Sequence, residues 1–318
     1  MAHFYTVPSE FLLPSLVFKL IAMIIGVLGN ITVIIYTIFV GKEKTAASYL
    51  VGNLALADLV VCLTFYPVWI IEFIQTLLNI NGDQYLFCKL SRSAIWALLF
   101  ASMATLFAIT VERYFYIVKP LKYPLIVTKR RVFLAISGIW LTACCLLIVL
   151  LVSYRYDLRL RSLCHIRNLY IHHHFIHSFI GFFPLTLIII LNIRILLVAK
   201  KQRKRILAET ALPVATSNGQ PANKMKAIHG FFHALKDVKT FSIVVIVLVF
   251  CVLTPNVVGA VLHNSCGESC RQIWFVVFHY EFYGINSIVN AFIYGMRHVK
   301  YRKGYRHILF KILRCKKL

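Results

Sequence analysis

Few residues in this chain are equipped for chemistry, and they are unevenly placed. Glu112-Arg113-Tyr114 sets an acid beside a base at one end of an apolar run, and Cys88 stands at the other end. Asp58 and Glu281 are each the single acid in a stretch with no other Asp, Glu, Lys or Arg, Val51–Ile71 and Gln272–Met296. Histidines gather at His172-His173-His174 and His177; His173 and His177 have the i, i+4 spacing of two zinc ligands on one helix face. These imidazoles also titrate near neutral pH, so proton sensing is a second reading of the same cluster. The other histidines, such as His229, His233 and His263, are scattered. No catalytic constellation forms, and we expect no enzyme. The acid–base pair at one end of the run and the cysteine at the other point instead to a transmembrane signalling helix.

The elements that carry these residues are long and apolar. Ser93 to Val111 contains no Asp, Glu, Lys or Arg. As a helix these 19 residues rise by about 28 Å, close to the roughly 30 Å of a bilayer's hydrocarbon core. Leu20–Gly41, Val132–Tyr154, Leu169–Ile193 and Thr240–Gly267 are comparable uncharged runs. With the two stretches carrying Asp58 and Glu281, the count of expected spans is seven. Of all 318 residues, 60% are hydrophobic, too many for a soluble all-α protein to cover with a solvated surface. A transporter would show an internal repeat, and none is visible.

The net charge of +24 suggests nucleic acid until its distribution is followed. With the first loop placed inside, 27 of the 35 Lys and Arg residues fall on the inner side and eight on the outer, Lys19 among the eight. That bias places the N-terminus outside and the C-terminus in the cytosol. The expected partners of the basic face are anionic lipid and acidic proteins, with no nucleic acid. Met1–Ser15 has no basic segment followed by a cleavable apolar stretch, so helix one is expected to serve as the targeting signal. The expected division is an extracellular segment over 1–15, a bundle over 16–296, and a cytosolic amphipathic helix and tail over 297–318.

Four of the nine cysteines, Cys88, Cys164, Cys266 and Cys270, lie on the oxidising side of this topology and allow three pairings. Cys266 with Cys270 closes a small ring and leaves Cys88 for Cys164. Cys315, amid Arg314, Lys316 and Lys317, is a candidate for palmitoylation, with a plain thiol the other reading.

In this order the landmarks resemble the rhodopsin-like G-protein-coupled receptors. They are Gly29-Asn30, the run Asn53-Leu54-Ala55-Leu56-Ala57-Asp58, Cys88, Glu112-Arg113-Tyr114, Trp140, Pro184, Pro255 and Asn290-Ala291-Phe292-Ile293-Tyr294. The resemblance covers nearly the whole chain. It implies an all-α, seven-transmembrane bundle in the plasma membrane with a short amphipathic eighth helix. It implies a receptor that turns extracellular ligand binding into activation of heterotrimeric G proteins. It also implies a polar network of Asn30, Asp58, Ser102, Asn286, Ser287 and Asn290, with sodium as a candidate modulator. The coupling switch would be Glu112, Arg113, Tyr114 and Tyr294, with Arg113 held by Glu112 at rest and released on activation.

Three departures mark this chain. The tryptophan the family usually carries two residues before the helix-six proline is Leu253. The proline of the helix-seven motif is Ala291, and the tyrosine two turns after the helix-five proline is Asn192. The alternative expectation is therefore a receptor-like membrane protein with weak, constitutive or no G-protein coupling.

On the ligand side, Ile95 replaces the acid that amine receptors place five turns before the helix-three arginine, which disfavours a monoamine. Gly284 stands where opsins carry the retinal-bearing lysine, which excludes covalent retinal. The pocket candidates are Tyr66, Trp69, Ile95, Trp96, Leu99, Tyr280, Glu281 and Tyr283, with Glu72 beside them; Glu281 is singled out because an ionisable residue in a span is functional by default. The second outer loop is basic, with Arg155, Arg159, Arg161 and Arg167. The third inner loop has a Pro213 to Pro221 centre between basic helix extensions. After Ser287 there is no Ser or Thr, so phosphorylation of the tail is not expected to recruit arrestin.

Overall fold

Apolar segments of this length satisfy their backbone polar groups only by coiling, because lipid offers no hydrogen-bond partners. The structure, a computed structural model, describes residues 9–40, 45–78, 85–153, 181–211, 221–267, 270 and 273–297. Seven long helices result, named here in chain order: α1 Ser9–Ile35, α2 Ala46–Leu77, α3 Tyr85–Val118, α4 Lys129–Ser153, α5 Phe183–Ala211, α6 Pro221–Ser265 and α7 Tyr280–Arg297. A one-turn helix, Tyr123–Ile126, lies between α3 and α4, and π-helical segments Tyr36–Val40 and Trp274–His279 end α1 and precede α7. Six of the helices are long and apolar enough to cross a membrane; α7, shorter and richer in polar residues, completes the ring.

The helices form a closed bundle. α1 packs on α2 and α7, α2 on α3, α3 on α5, α5 on α6, and α6 on α7, while α4 flanks α3 and α2 from outside. The apolar core includes Leu54, Phe65, Trp69, Met103, Leu106, Ile188, Val244 and Leu248. The outer faces are apolar as well, with Ile24, Leu28, Leu63, Leu141, Ile148, Ile246 and Phe292 exposed. Polar side chains are drawn inward, as lipid requires.

Two glycines set the closest approaches. A Cβ on Gly26 would lie 2.6 Å from Cys62 Sγ, and one on Gly284 would lie 2.6 Å from the Tyr66 hydroxyl and 2.9 Å from the Phe65 ring. Small residues at such crossings let α2 meet α1 and α7 closely.

Helix one begins at Ser9, earlier than the expected start of the bundle at residue 16, and Lys19 lies eleven residues into it. The basic extensions of α5 and α6 run to Ala211 and from Pro221. The second outer loop, His173, His177, Cys164, Cys315 and all but the first residue of the expected amphipathic helix over 297–318 lie outside the described residues, as do the side chains of Cys88 and Tyr280.

Candidate functional site

Several polar clusters and a cavity line the inside of the bundle among the described residues. The first is centred on Asp58 of α2, which is fully buried. Ser102 of α3 donates to its Oδ1 at 2.7 Å, and Asn290 Nδ2 of α7 donates to its Oδ2 at 2.9 Å. The Ser287 hydroxyl lies beside the same carboxylate. Asn30 of α1 donates from Nδ2 to the carbonyls of Gly26 at 2.9 Å and Ser287 at 3.0 Å. Five of the six expected network residues therefore meet across four helices. The sixth, Asn286, faces the cavity instead.

A second cluster joins α2, α3 and α4. Trp140 Nε1 donates to Asn53 Oδ1 at 2.9 Å, and Asn53 Nδ2 donates to Thr105 Oγ1 at 2.9 Å. A tryptophan at that place in α4 is thus a hydrogen-bond donor reaching across to α2.

The third cluster is the inner charge switch. Glu112 is buried, and Arg113 Nε lies 3.3 Å from its Oε2. Tyr123, in the short helix that follows α3, donates to Glu112 Oε1 at 2.7 Å. Burial first, then the Glu112 carboxylate, push the Tyr123 phenol well above its ordinary pKa, so it remains a donor at neutral pH. Tyr294 is buried on α7. Tyr123 was not among the expected switch residues. Its only signal was a phenol close in sequence to a buried acid.

The cavity has about 420 Å³ of unfilled space, partly open, and is lined by Trp96, Leu99, Met103, Gly181, Leu248, Cys251, Val252, Tyr283 and Asn286. Among the described residues no charged side chain lines it. Trp96 and Tyr283 meet edge to face with centroids 6.1 Å apart. Asn286 Oδ1 is buried with no hydrogen-bond partner among the described residues.

Of the expected pocket residues, the structure brings Trp96, Leu99 and Tyr283 to this cavity. Ile95 is buried but does not line it. Tyr66, Trp69 and Glu281 belong to a separate cluster between α1, α2 and α7. There Lys19 Nζ lies 2.6 Å from Glu281 Oε1, and its ammonium sits over the Phe73 ring at 4.4 Å and the Trp69 ring at 5.8 Å. Lys19 had been counted with the outer charges; it is completely buried. The lone lysine near the start of one apolar run and the lone acid in another were the signals for this pair.

The departures acquire structural readings. Leu253 is 37% exposed, pointing away from the bundle interior, and Cys251 and Val252 take the inward face. Around Pro255, Asn256 Nδ2 donates to Val252 O at 2.6 Å and to the Tyr283 hydroxyl at 3.2 Å, and His279 Nδ1 lies 3.3 Å from Pro255 O. The proline region of α6 is thereby tied to α7. Asn192 is buried and accepts from Ser242 of α6 at 3.2 Å. Pro184 follows π-helical Gly181 and Phe182 at the described start of α5. Cys266 and Cys270 form the expected small disulfide ring. Among the described residues no three His, Cys, Asp or Glu side chains gather as a metal site.

The family model described as "7 transmembrane receptor (rhodopsin family)" matches residues 29–294. Melatonin receptor type 1A of Mus musculus is 25% identical over 319 aligned positions, covering 96% of this chain and 83% of that receptor. Melatonin receptor type 1B of Gallus gallus is 25% identical, covering 82% of this chain and 86% of the receptor. The alpha-1A adrenergic receptor of Mus musculus is 26% identical, covering 90% and 66%.

Proposed function

The chain belongs to the rhodopsin family of seven-transmembrane receptors and is a G-protein-coupled receptor, and on that premise we propose which residues receive the ligand and which transmit it. The observation that carries the reading is a stripe along α7. Tyr283 and Asn286 face the cavity, Asn290 bonds Asp58 one turn below, and Tyr294 is buried one turn further in. These positions lie on one side of a helix and span about 16 Å. A ligand seated against Trp96 and Tyr283 therefore acts on the same rod that carries Asn290 and Tyr294.

The ligand is an uncharged, largely apolar molecule with one hydrogen-bonding group for Asn286. Apolar and aromatic lining with a few convergent polar atoms is the usual composition of such a site. Glu281 is already neutralised by Lys19, so it does not act as counter-ion to a cationic ligand. Melatonin is the first compound to test, because receptors named for it match most of the chain.

On the inner side, the C-terminal helix of a Gα subunit docks in the crevice beside Arg113 once α6 moves outward, a helix-in-groove contact. The basic inner face and the inward placement of the C-terminus follow from the charge distribution, with the N-terminus extracellular.

Asp58, with the hydroxyls around it, would hold a sodium ion. The buried carboxylate, the Ser102 hydroxyl and the Ser287 hydroxyl offer the hard oxygen donors such a cation takes. When bound, the ion would supply positive charge that offsets Asp58, whose carboxylate already joins α2 to α3 and α7 through Ser102 and Asn290.

The experiment is Gα activation in cells across the main Gα classes, with and without melatonin, comparing the intact receptor with Arg113→Ala at matched surface level. A signal lost in Arg113→Ala supports the assignment of the switch. A signal of unchanged size in that variant sinks it.

A further inference from the structure

A buried ion pair is weak evidence of stability, because taking two charges out of water offsets much of their attraction. The pair Lys19–Glu281 is buried, with the lysine completely enclosed and its ammonium over aromatic rings, and leaves Glu281 Oε2 with no hydrogen-bond partner among the described residues. Packing alone would be served as well by two apolar side chains. Fixing a register is the best attested role of such buried charges.

The surroundings show which register. Lys19 of α1 meets Glu281 of α7, a Cβ on Gly26 would lie 3.1 Å from Ile288, and a Cβ on Gly29 would lie 3.1 Å from Ala291. Each of these contacts joins a residue to the one 262 positions further along the chain. Two parallel helices thus run side by side in one register over eleven residues of each. At mid-seam, Asn30 of α1 holds the Ser287 carbonyl. Ala291 is 2% exposed, packed where a proline would break the helix, so α7 runs unbroken from Tyr280 to Arg297. Just above Glu281 the winding changes from the π-helical Trp274–His279 to α-helix. Such junctions are recurrent sites of helix adjustment.

We propose that Lys19 and Glu281 are positioning residues for signalling: their ion pair fixes the resting register of a rigid α1–α7 seam, so that α7 switches as a whole rod rather than by bending at its middle. Removing either charge leaves the other buried and uncompensated. α7 then shifts to hydrate it, and Asn290 and Tyr294 on the same rod are carried along.

The test uses the full-length receptor in membranes, with two readouts. One is ligand-independent Gα activation at matched surface level. The other is thiol labelling of a reporter cysteine, Ile293→Cys, near the inner end of α7, with a membrane-impermeant maleimide in inside-out vesicles, corrected with the same protein lacking the reporter. Ile293 is buried at rest. Lys19→Met and Glu281→Gln are each expected to raise both readouts threefold or more. The swapped pair, Lys19→Glu with Glu281→Lys, and the conservative Lys19→Arg return both to within twofold of the intact receptor. Where single variants fail to reach the surface, the apolar pair Lys19→Met with Glu281→Leu keeps the packing and leaves no unpaired charge; it removes only the contact that sets the register, and is expected to raise both readouts through loss of that constraint. Unchanged labelling in the neutralised variants overturns the proposal, as does a swapped pair that fails to rescue. Labelling needs no G protein, so a receptor silent in the Gα assay, which would count against the functional reading, leaves this inference tested on its own.

Discussion

Tyr123 Oη lies 2.7 Å from Glu112 Oε1, on the opposite carboxylate oxygen from the one that faces Arg113 Nε at 3.3 Å. The acid is therefore held from two sides, by a base next to it in the helix and by a phenol from the following loop. A resting switch built this way loses affinity for Arg113 only when the loop lets go as well.

Tyr123→Phe removes that donor and leaves the ring in place. A hydrogen bond to a charged group contributes about 1.5–3 kcal/mol. If it acts only at rest, its loss shifts the resting-to-active ratio by about tenfold or more. Ligand-independent Gα activation is expected to rise accordingly, and Arg113→Ala in the same background to abolish it. A Tyr123→Phe receptor with unaltered basal signal counts against this reading.

Asp58→Asn is expected to erase sodium dependence. The thermal midpoint of the purified receptor should rise when sodium chloride replaces N-methylglucamine chloride at equal ionic strength, and not in Asp58→Asn. Equal midpoints of the intact receptor in both salts remove sodium from the site.

Asn53→Ala breaks the bridge from α4 to α3. It leaves the half-buried Trp140 Nε1 without its acceptor, at about 1–3 kcal/mol, while Thr105 Oγ1 loses one donor and keeps its bond to the Ala101 carbonyl. A lowered thermal midpoint and reduced surface level should follow. Trp140→Phe in the Asn53→Ala background should cost less than the two single losses together, because one orphaned donor is gone.

Gly284→Ala places a methyl where the Tyr66 hydroxyl and the Phe65 ring already are. Overpacking of this kind costs about 1–3 kcal/mol. Adding Tyr66→Phe removes the nearer atom and should recover part of the loss, the Phe65 contact remaining. A fully stable Gly284→Ala receptor would mean that α2 and α7 do not meet this closely.

Much of the architecture was legible before any coordinates. An apolar run long enough to span a bilayer has one way to satisfy its backbone, so the seven helices followed from local composition. Asp58 and Glu112-Arg113 announced themselves because charge is rare and costly in such runs. What composition could not decide was partnership across helices. Glu281 was visible as an ionisable residue in a span, but its partner is 262 residues away in the chain, and Lys19 looked like an outer-end lysine until α1 proved to begin at Ser9. Asn286 shares its type and its helix with Asn290, yet one faces the cavity and the other Asp58, because a four-residue step on a helix overshoots one turn and the neighbouring helices settle which face each meets. Leu253 points outward and Tyr123 reaches back to Glu112 for the same reason. Sequence by itself determined which segments cross the membrane and where charge must be accounted for; tertiary packing alone decided which charge answers which, since those contacts are set by helix rotation and register rather than by any local pattern.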